Sequence, residues 1–317
     1  MLIDTILRGE VGPAARLMRD LDDEMPQARE TLRQLYPHTG RAHVIGITGS
    51  PGAGKSCLTN QMISHFRKRG QTVGVVAIDP SSPFSGGAIL GDRVRMQPHT
   101  TDAGVFVRSL ATRGHMGGLS RSTGDVVDVM DAMGKDVVIV ETVGVGQDEL
   151  EIIRLAHTTI VVQVPGLGDE IQSIKAGILE IASIFVVNKA DLPGADMVVR
   201  DLTAMLQIRA TRARELVPQI VKTEATKGKG LDELMVAIER DRAHLQSGDG
   251  WTEKQQQRLE LRFLDYLRTQ LFEQARARLP SIEKYGEIVT ALAAREIDPY
   301  TAARRAVAGI LGTAKVA

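Results

Sequence analysis

One short segment has the residue types and the spacing of a nucleotide phosphate site. From Gly49 to Ser56 the chain reads G-x-x-x-x-G-K-S. The glycines let the backbone turn successive N–H groups toward one anion. The lysine supplies positive charge to the β- and γ-phosphates, and the serine hydroxyl can ligate Mg²⁺. An apolar run precedes the segment and a helix-forming run follows it, so we predict these phosphate-binding residues: Gly49, Ser50, Gly52, Ala53, Gly54, Lys55, Ser56 and Cys57.

Two later segments place a carboxylate where an apolar run ends. Asp79 follows the run 73–78, and Glu141 opens an E-x-x-G pattern that closes at Gly144. In P-loop proteins an acidic residue at such a position reaches the Mg²⁺ shell, and a glycine N–H a few residues further on contacts the γ-phosphate. We therefore predict that Glu141 serves the metal and that Gly144 contacts the γ-phosphate. Asp79 could hold Mg²⁺ or a bound water, or could instead cap a helix or form a turn.

A third segment predicts which base is bound. It reads N-K-A-D and ends at Asp191, directly after an apolar run. An aspartate there accepts hydrogen bonds from the guanine N1–H and N2–H₂ groups, a donor pattern that adenine does not offer. In GTPases a backbone group at the position of Ala225, after the last apolar run, contacts the guanine O6. The predicted base-binding residues are Asn188, Lys189, Asp191, Thr223 and Ala225.

The elements that must position these residues follow from the alternation of apolar runs and helical patterns between residues 42 and about 245. Continuous apolar strands flanked by helices indicate a mostly parallel sheet covered on both faces, an α/β fold of the P-loop NTPase class. Ligands of such sheets bind at the carboxyl ends of the strands, where the three segments lie. The predicted strands are Val44–Ile47, Val73–Ile78, Val105–Leu110, Val137–Val140, Thr159–Val164, Ile184–Val187 and the weaker Gln219–Thr223.

Helical patterns flank this region on both sides. We predict an N-terminal helical arm at residues 1–41, a nucleotide domain at 42–246 and a C-terminal helical arm at 247–317. In the C-terminal arm, Trp251–Leu279 carries apolar residues every three or four positions, the period of an amphipathic helix. Such a helix either folds back on its own chain or pairs with a second copy. We predict a dimerisation arm.

Charge and composition disfavour several classes of function. Lys plus Arg and Asp plus Glu both total 39, and the resulting net charge of zero disfavours nucleic-acid binding through bulk charge. Cys57 is the single cysteine and cannot form an internal disulfide, which fits a reducing compartment. No segment approaches the roughly 20 apolar residues that span a bilayer, and the first residues make a poor targeting peptide. We expect a cytoplasmic protein without membrane or nucleic-acid partners.

Five segments together resemble the MeaB/ArgK group of P-loop GTPases, which belongs to the metallocenter-assembly GTPases. They are GSPGAGKS, DPSSPFSGGAILGDRVRM, ETVGVGQDE, PGLGDEIQSIKAGILEIA and NKAD, and the resemblance covers essentially the whole chain. It implies a GTPase chaperone that gates cofactor loading and protects an adenosylcobalamin-dependent acyl-CoA mutase, typically methylmalonyl-CoA mutase. It also implies Mg²⁺ and GTP or GDP as ligands, and a homodimer held by the C-terminal arms.

The resemblance also implies site residues that spacing alone does not assign. It places Asp79 and Asp92 in a first switch and Glu141 in a second, which gives an implied metal-surrounding set of Ser56, Asp79, Asp92 and Glu141. A third switch would fall on Gly166–Gly177 and couple the nucleotide to the mutase. Lys175 lies within it.

The second switch predicts slow hydrolysis by the protein alone. In small GTPases a glutamine directly after the switch glycine orients the attacking water. Val145 takes that place here, and the nearest glutamine, Gln147, lies two residues further on. We expect a partner to complete the site. Arg93, Arg95 and Arg108 of this chain are either candidates to stabilise the transferred phosphoryl group or ordinary surface or loop residues. The candidate catalytic residues are Lys55, Glu141, Gly144, Gln147 and Lys175.

Three other functions stay open from the sequence. A metallocenter-assembly GTPase for another metalloenzyme, such as a nickel enzyme, would need a histidine or cysteine tract, and the sequence contains none. A small-molecule P-loop kinase would need an acceptor pocket and a lid but not N-K-x-D. A nucleotide-switched scaffold would bind GTP with negligible turnover, so turnover assays with and without the mutase would distinguish it.

Overall fold

The chain folds around one parallel β-sheet. A computed structural model describes residues 2–79, 99, 101–111, 122–142, 152–166, 182–210, 217–247, 250–279 and 285–311. Within these ranges seven parallel strands lie in the order β3-β2-β4-β1-β5-β6-β7. The strands are β1 (His43–Gly49), β2 (Val73–Asp79), β3 (Val105–Ala111), β4 (Val137–Glu141), β5 (Thr158–Gln163), β6 (Ile184–Val187) and β7 (Gln219–Lys222). The predicted sheet is confirmed, and each predicted strand end lies within two residues of the observed one.

Helices cover both faces of this sheet, as predicted. Side chains alternate between the two faces along a strand, so each strand contributes to two cores. Ile45 and Ile47 pack on one face with α4 and α7. Val44 packs on the other face with α1, α2, α3 and α5, and Phe185 packs there with α6. The described helices of this part are α1 (Leu2–Leu7), α2 (Val11–Asp22), α3 (Pro26–Leu35), α4 (Lys55–Lys68), α5 (Thr123–Ala132), α6 (Ala195–Ala210) and α7 (Leu231–Gln246).

A buried carboxylate ties the N-terminal helices to the start of the sheet. Asp131 of α5 accepts hydrogen bonds from the backbone N–H groups of Gly40, Arg41 and Ala42, at 2.6, 3.2 and 3.0 Å. Burial nevertheless raises the pKa of Asp131, because desolvation outweighs these hydrogen bonds. The link between α3 and β1 is thus fixed from within the core, and α1–α3 pack as part of the same body as the sheet.

The chain divides into two compact units, Met1–Gln255 and Gln256–Ala317. The second unit contains most of α8 (Gly250–Arg278), together with α9 (Tyr285–Ala293) and α10 (Pro299–Leu311). The division falls inside α8, and the predicted boundary near residue 247 stays a prediction. Among the described helices, none combines the length and apolar character that crossing a membrane requires.

Candidate nucleotide site

The phosphate-loop segment connects the central strand β1 to the start of α4. β1 ends at Gly49 and α4 begins at Lys55. Gly49, Gly52 and Gly54 all have positive φ angles, of 134°, 77° and 89°, a backbone region that favours glycine. A Cβ atom on Gly49 would lie 2.1 Å from the Val162 carbonyl oxygen, and one on Gly54 would lie 2.4 Å from Asn188 Nδ2. At Gly49 and Gly54, close neighbours as well as the backbone conformation therefore disfavour any residue with a side chain.

Lys55 lies across this loop. Its Nζ donates hydrogen bonds to the carbonyl oxygens of Gly49, at 2.6 Å, and Ser50, at 3.0 Å. The residue is buried at the first position of α4. A cation held at a helix N-terminus favours binding of an anion such as a phosphate, in agreement with the predicted role of this loop.

Cys57, two residues after Lys55 on the same helix, lies in an apolar environment. It is half-buried and packs against the apolar cluster under the sheet. Burial raises the pKa of its thiol, which keeps the sulfur protonated and weakly nucleophilic at neutral pH. Its side chain therefore acts as packing, and the predicted contact of Cys57 with nucleotide stays a prediction.

The predicted metal-binding side chains Ser56 and Glu141 lie in contact. β4 pairs with β1, and Glu141 lies opposite Ile47. Ile47 is two residues before Gly49, where the phosphate-loop segment begins. Ser56 Oγ donates a hydrogen bond to Glu141 Oε1 at 2.6 Å, and Thr59 Oγ1 donates one to Glu141 Oε2 at 2.7 Å. The sequence analysis missed Thr59. Its spacing of three residues from Ser56, which places both on one face of α4, was the available signal.

Asp79 lies at the same edge of the sheet. It ends β2, the other neighbour of β4, and it is buried. Hydroxyl and carboxylate oxygens are the ligands that Mg²⁺ prefers, so Ser56, Asp79 and Glu141 form a chemically suitable set. The fourth predicted member, Asp92, lies outside the described residues.

The predicted base-binding segment is joined to the phosphate-loop segment through Asn188. Its Nδ2 donates to the Ala53 carbonyl oxygen at 2.8 Å. Its Oδ1 accepts from Thr223 Oγ1 at 3.0 Å and from the Ala225 N–H at 3.1 Å. One buried amide therefore connects three segments that lie far apart in the chain. The Ala225 N–H, which the sequence analysis assigned to the guanine O6, binds Asn188 in this structure.

The other two predicted base-binding residues of the N-K-A-D segment, Lys189 and Asp191, are exposed. Lys189 has a positive φ of 54°, and the Asp191 side chain is 45% exposed. The Lys227 ammonium, 3.1 Å from Asp191 Oδ2, holds the pKa of that carboxyl below its usual range. Asp191 is therefore ionised at neutral pH and can accept hydrogen bonds from a base.

Several predicted catalytic residues lie outside the described residues, so their predicted roles stay predictions. They are Gly144, Gln147 and Lys175, together with Arg93, Arg95 and most of the predicted third switch. Arg108 is described, and it lies on the edge strand β3. Three strand spacings separate β3 from β1, about 14 Å. That position does not support a contact between Arg108 and the γ-phosphate.

Comparison with known proteins decides the family. A family model described as methylmalonyl Co-A mutase-associated GTPase MeaB matches residues 14–279. The chain belongs to the MeaB family of GTPases. The resemblance found in the sequence is confirmed, and GTP hydrolysis is the activity of this protein.

Individual relatives agree with membership of the MeaB family. A GTPase homologue from Pyrococcus abyssi is 46% identical over 313 residues, which cover 98% of this chain and 96% of the relative. The GTPase ArgK of Escherichia coli is 35% identical over 243 residues, 74% of this chain and 73% of the relative. A mouse protein named methylmalonic aciduria type A homolog, mitochondrial, is 32% identical over 66% of this chain and 51% of its own length.

A solved structure extends the likeness to the whole fold. The crystal structure of a protein titled LAO/AO transport system kinase superposes with a TM-score of 0.73 at 27% identity. The superposition covers 98% of this chain and 96% of that protein. This likeness agrees with the P-loop NTPase fold that the sequence predicted.

Proposed function

We propose that this MeaB-family GTPase is a chaperone of an adenosylcobalamin-dependent acyl-CoA mutase, methylmalonyl-CoA mutase or a close relative. In this role it gates cofactor loading and protects the mutase from inactivation. The observation that carries the proposal is the family match over residues 14–279, whose description names association with that mutase. The name of the mouse relative, which refers to methylmalonic aciduria, supports the same assignment. We place the protein in the cytoplasm, in keeping with its single cysteine.

The site supports binding of GTP or GDP together with Mg²⁺. In this proposal Lys55 binds the β- and γ-phosphates, and the oxygens of Ser56, Asp79 and Glu141 hold or surround the metal. When bound, Mg²⁺ supplies positive charge to the phosphate oxygens. Thr59 fixes the Glu141 carboxylate through its 2.7 Å hydrogen bond. Asn188 sets the distance between the phosphate loop and the base-binding segment.

The client mutase should accelerate GTP hydrolysis. The protein alone lacks a glutamine directly after Gly144, so it binds GTP but positions the attacking water poorly. Activators of small GTPases raise the hydrolysis rate by about 10³- to 10⁵-fold. We expect the mutase to raise it less, by about ten- to a hundredfold, because a chaperone must hold GTP long enough to act. The measurement is steady-state phosphate release with and without purified methylmalonyl-CoA mutase.

Two variants and one control sharpen this test. Gln147→Ala and Lys175→Ala should bind GDP normally and lose most of the acceleration. Lys68 is exposed at the end of α4. Lys68→Ala should therefore match the unmodified protein in both GDP affinity and acceleration by the mutase. Hydrolysis by the protein alone as fast as in the mixture would contradict a site completed by the mutase.

We also propose that the protein is a homodimer held by α8. Within Gln256–Arg278, large apolar side chains remain exposed at helical spacing, including Leu264, Leu267 and Leu271 at 50%, 40% and 59%. Extended exposed apolar surfaces mark protein interfaces. Light scattering should give twice the chain mass at micromolar concentration. The double substitution Leu267→Glu, Leu271→Glu should give the mass of one chain, because it would bury charge in the interface.

The matched control for the dimer lies on the same helix. Arg276 is exposed and lies nine residues from Leu267, about two and a half turns, which places it on the opposite face. Arg276→Glu should leave the dimer intact. A monomeric unmodified protein at micromolar concentration would refute this part of the proposal.

A further inference from the structure

Four side chains of alternating charge link the end of β7 to the base-binding aspartate. Lys229 Nζ contacts Glu224 Oε1 at 3.0 Å, and Lys227 Nζ contacts Glu224 Oε2 at 2.8 Å. The same Lys227 Nζ contacts Asp191 Oδ2 at 3.1 Å. Glu224 is the anchor of this series, since its side chain is only 14% exposed and binds both lysines.

The backbone fixes Lys227 independently of Asp191. The Lys227 N–H donates to the Glu224 carbonyl oxygen at 2.9 Å, and the Glu224 N–H donates to the Lys229 carbonyl oxygen at 3.0 Å. Gly230 closes this turn with a φ of 75°, and a Cβ atom there would lie 2.0 Å from the Lys222 carbonyl oxygen. The turn is thus a rigid platform from which Lys227 reaches Asp191.

The same platform is bonded to the loop that carries Asp191. The Ala190 N–H donates to the Thr223 carbonyl oxygen at 3.0 Å, and the Thr223 N–H donates to the Val187 carbonyl oxygen at 2.9 Å. These bonds join the backbone of the loop that carries Asp191 to the segment that leads into the Lys227 turn. Besides a hydrogen bond from its own backbone N–H, the exposed Asp191 carboxylate is oriented by its contact with Lys227.

The chemistry of the carboxylate leaves room for both a lysine and a base. Each carboxylate oxygen of Asp191 has two acceptor directions. Lys227 uses one of these four directions, and the backbone N–H of Asp191 itself uses another. Two directions remain, one each for the N1–H and N2–H₂ donors of guanine. A guanine can bind only the ionised carboxylate in this way, and the Lys227 ammonium favours that form.

We propose that Lys227 is a positioning residue for guanine recognition: anchored by Glu224, it orients the Asp191 carboxylate toward the base. Lys227 lies outside both the G-x-x-x-x-G-K-S and the N-K-A-D segments. The inference depends on the predicted role of Asp191 as the guanine reader. It adds a specificity-determining side chain from a different loop, 36 residues further along the chain.

Lys227→Met should weaken GDP binding by about three- to fivefold, the upper range for one partly exposed ion pair. It should leave ADP binding unchanged, because ADP uses the phosphate loop without the Asp191 contacts. Lys227→Arg keeps the cation and should restore GDP affinity. Lys229→Met is the matched control: Lys229 contacts Glu224 but has no ion pair with Asp191 among the described residues, so its GDP affinity should stay normal. Titration of each full-length variant with fluorescent GDP and ADP gives these affinities, and thermal unfolding verifies that each variant folds.

A double-mutant cycle with Asp191→Asn separates the two assumptions. If Asp191 reads guanine and Lys227 acts through it, Asp191→Asn lowers GDP affinity and Lys227→Met adds nothing in that background. If Asp191→Asn keeps normal GDP preference over ADP, the guanine-reader role is wrong. If Asp191→Asn loses that preference but Lys227→Met binds GDP as well as or better than the unmodified protein, the role of Lys227 alone is wrong. Equal losses in Lys227→Met and Lys229→Met would also overturn it, because they would indicate a general charge effect.

Discussion

Replacing Lys55 by alanine should lower kcat/KM for GTP by at least about a hundredfold, the usual cost of removing one charge-stabilising group at a reacting centre. Lys55 is buried in the phosphate loop and its Nζ lies within 3.0 Å of two loop carbonyl oxygens. The substitution removes the positive charge that would neutralise the β- and γ-phosphates. It also removes two hydrogen bonds that hold the loop in its turned form.

Two measurements separate these effects of Lys55. GDP affinity reports the ground state, and GTP turnover at saturating GTP reports the transition state. We expect losses in both, with the larger loss in turnover, because charge on the transferred phosphoryl group develops in the transition state. Lys68→Ala on the same helix serves as the control. Turnover within a few-fold of normal in Lys55→Ala would show that the phosphate site lies elsewhere.

Replacing Gly49 by alanine should abolish measurable nucleotide binding. Gly49 pairs with Val162 of β5 in the centre of the sheet. An added Cβ atom would lie 2.1 Å from the Val162 carbonyl oxygen, at a φ of 134° that side chains rarely adopt. Backbone atoms on both sides cannot yield as a flexible side chain would, so β1 must separate from β5 just where the phosphate loop begins. Strained conformations of this kind cost about 1–3 kcal/mol before any clash is counted.

Gly52→Ala is the matched control for this position. Gly52 also has a positive φ, of 77°, but no atom lies within 4 Å of the added Cβ. The free energy of unfolding of Gly52→Ala should fall only by the cost of a left-handed backbone at an alanine, about 1–2 kcal/mol. Thermal unfolding and GDP titration of both variants test the comparison. Equal GDP affinity in the two variants would contradict the argument that the close approach to Val162 makes Gly49 necessary.

The sequence by itself determined the fold class and predicted the chemistry of the site. Continuous Val- and Ile-rich runs need burial on both faces, which a parallel sheet with helices on both sides provides. The G-x-x-x-x-G-K-S and N-K-A-D segments then predict phosphate and guanine binding because each depends on residues that are adjacent in the chain. Local patterns of this kind are visible without coordinates, and the family match agrees with them.

Only the tertiary structure decided which distant residues act together. Asn188 bonds to Ala53, 135 residues away, and Thr59 bonds to Glu141, 82 residues away. Lys227 reaches Asp191 from a separate loop. The strand order β2-β4-β1-β5-β6-β7 brings these partners to one edge of the sheet. Such pairs leave no periodicity or spacing in the sequence, because their distance in space depends on strand order and register.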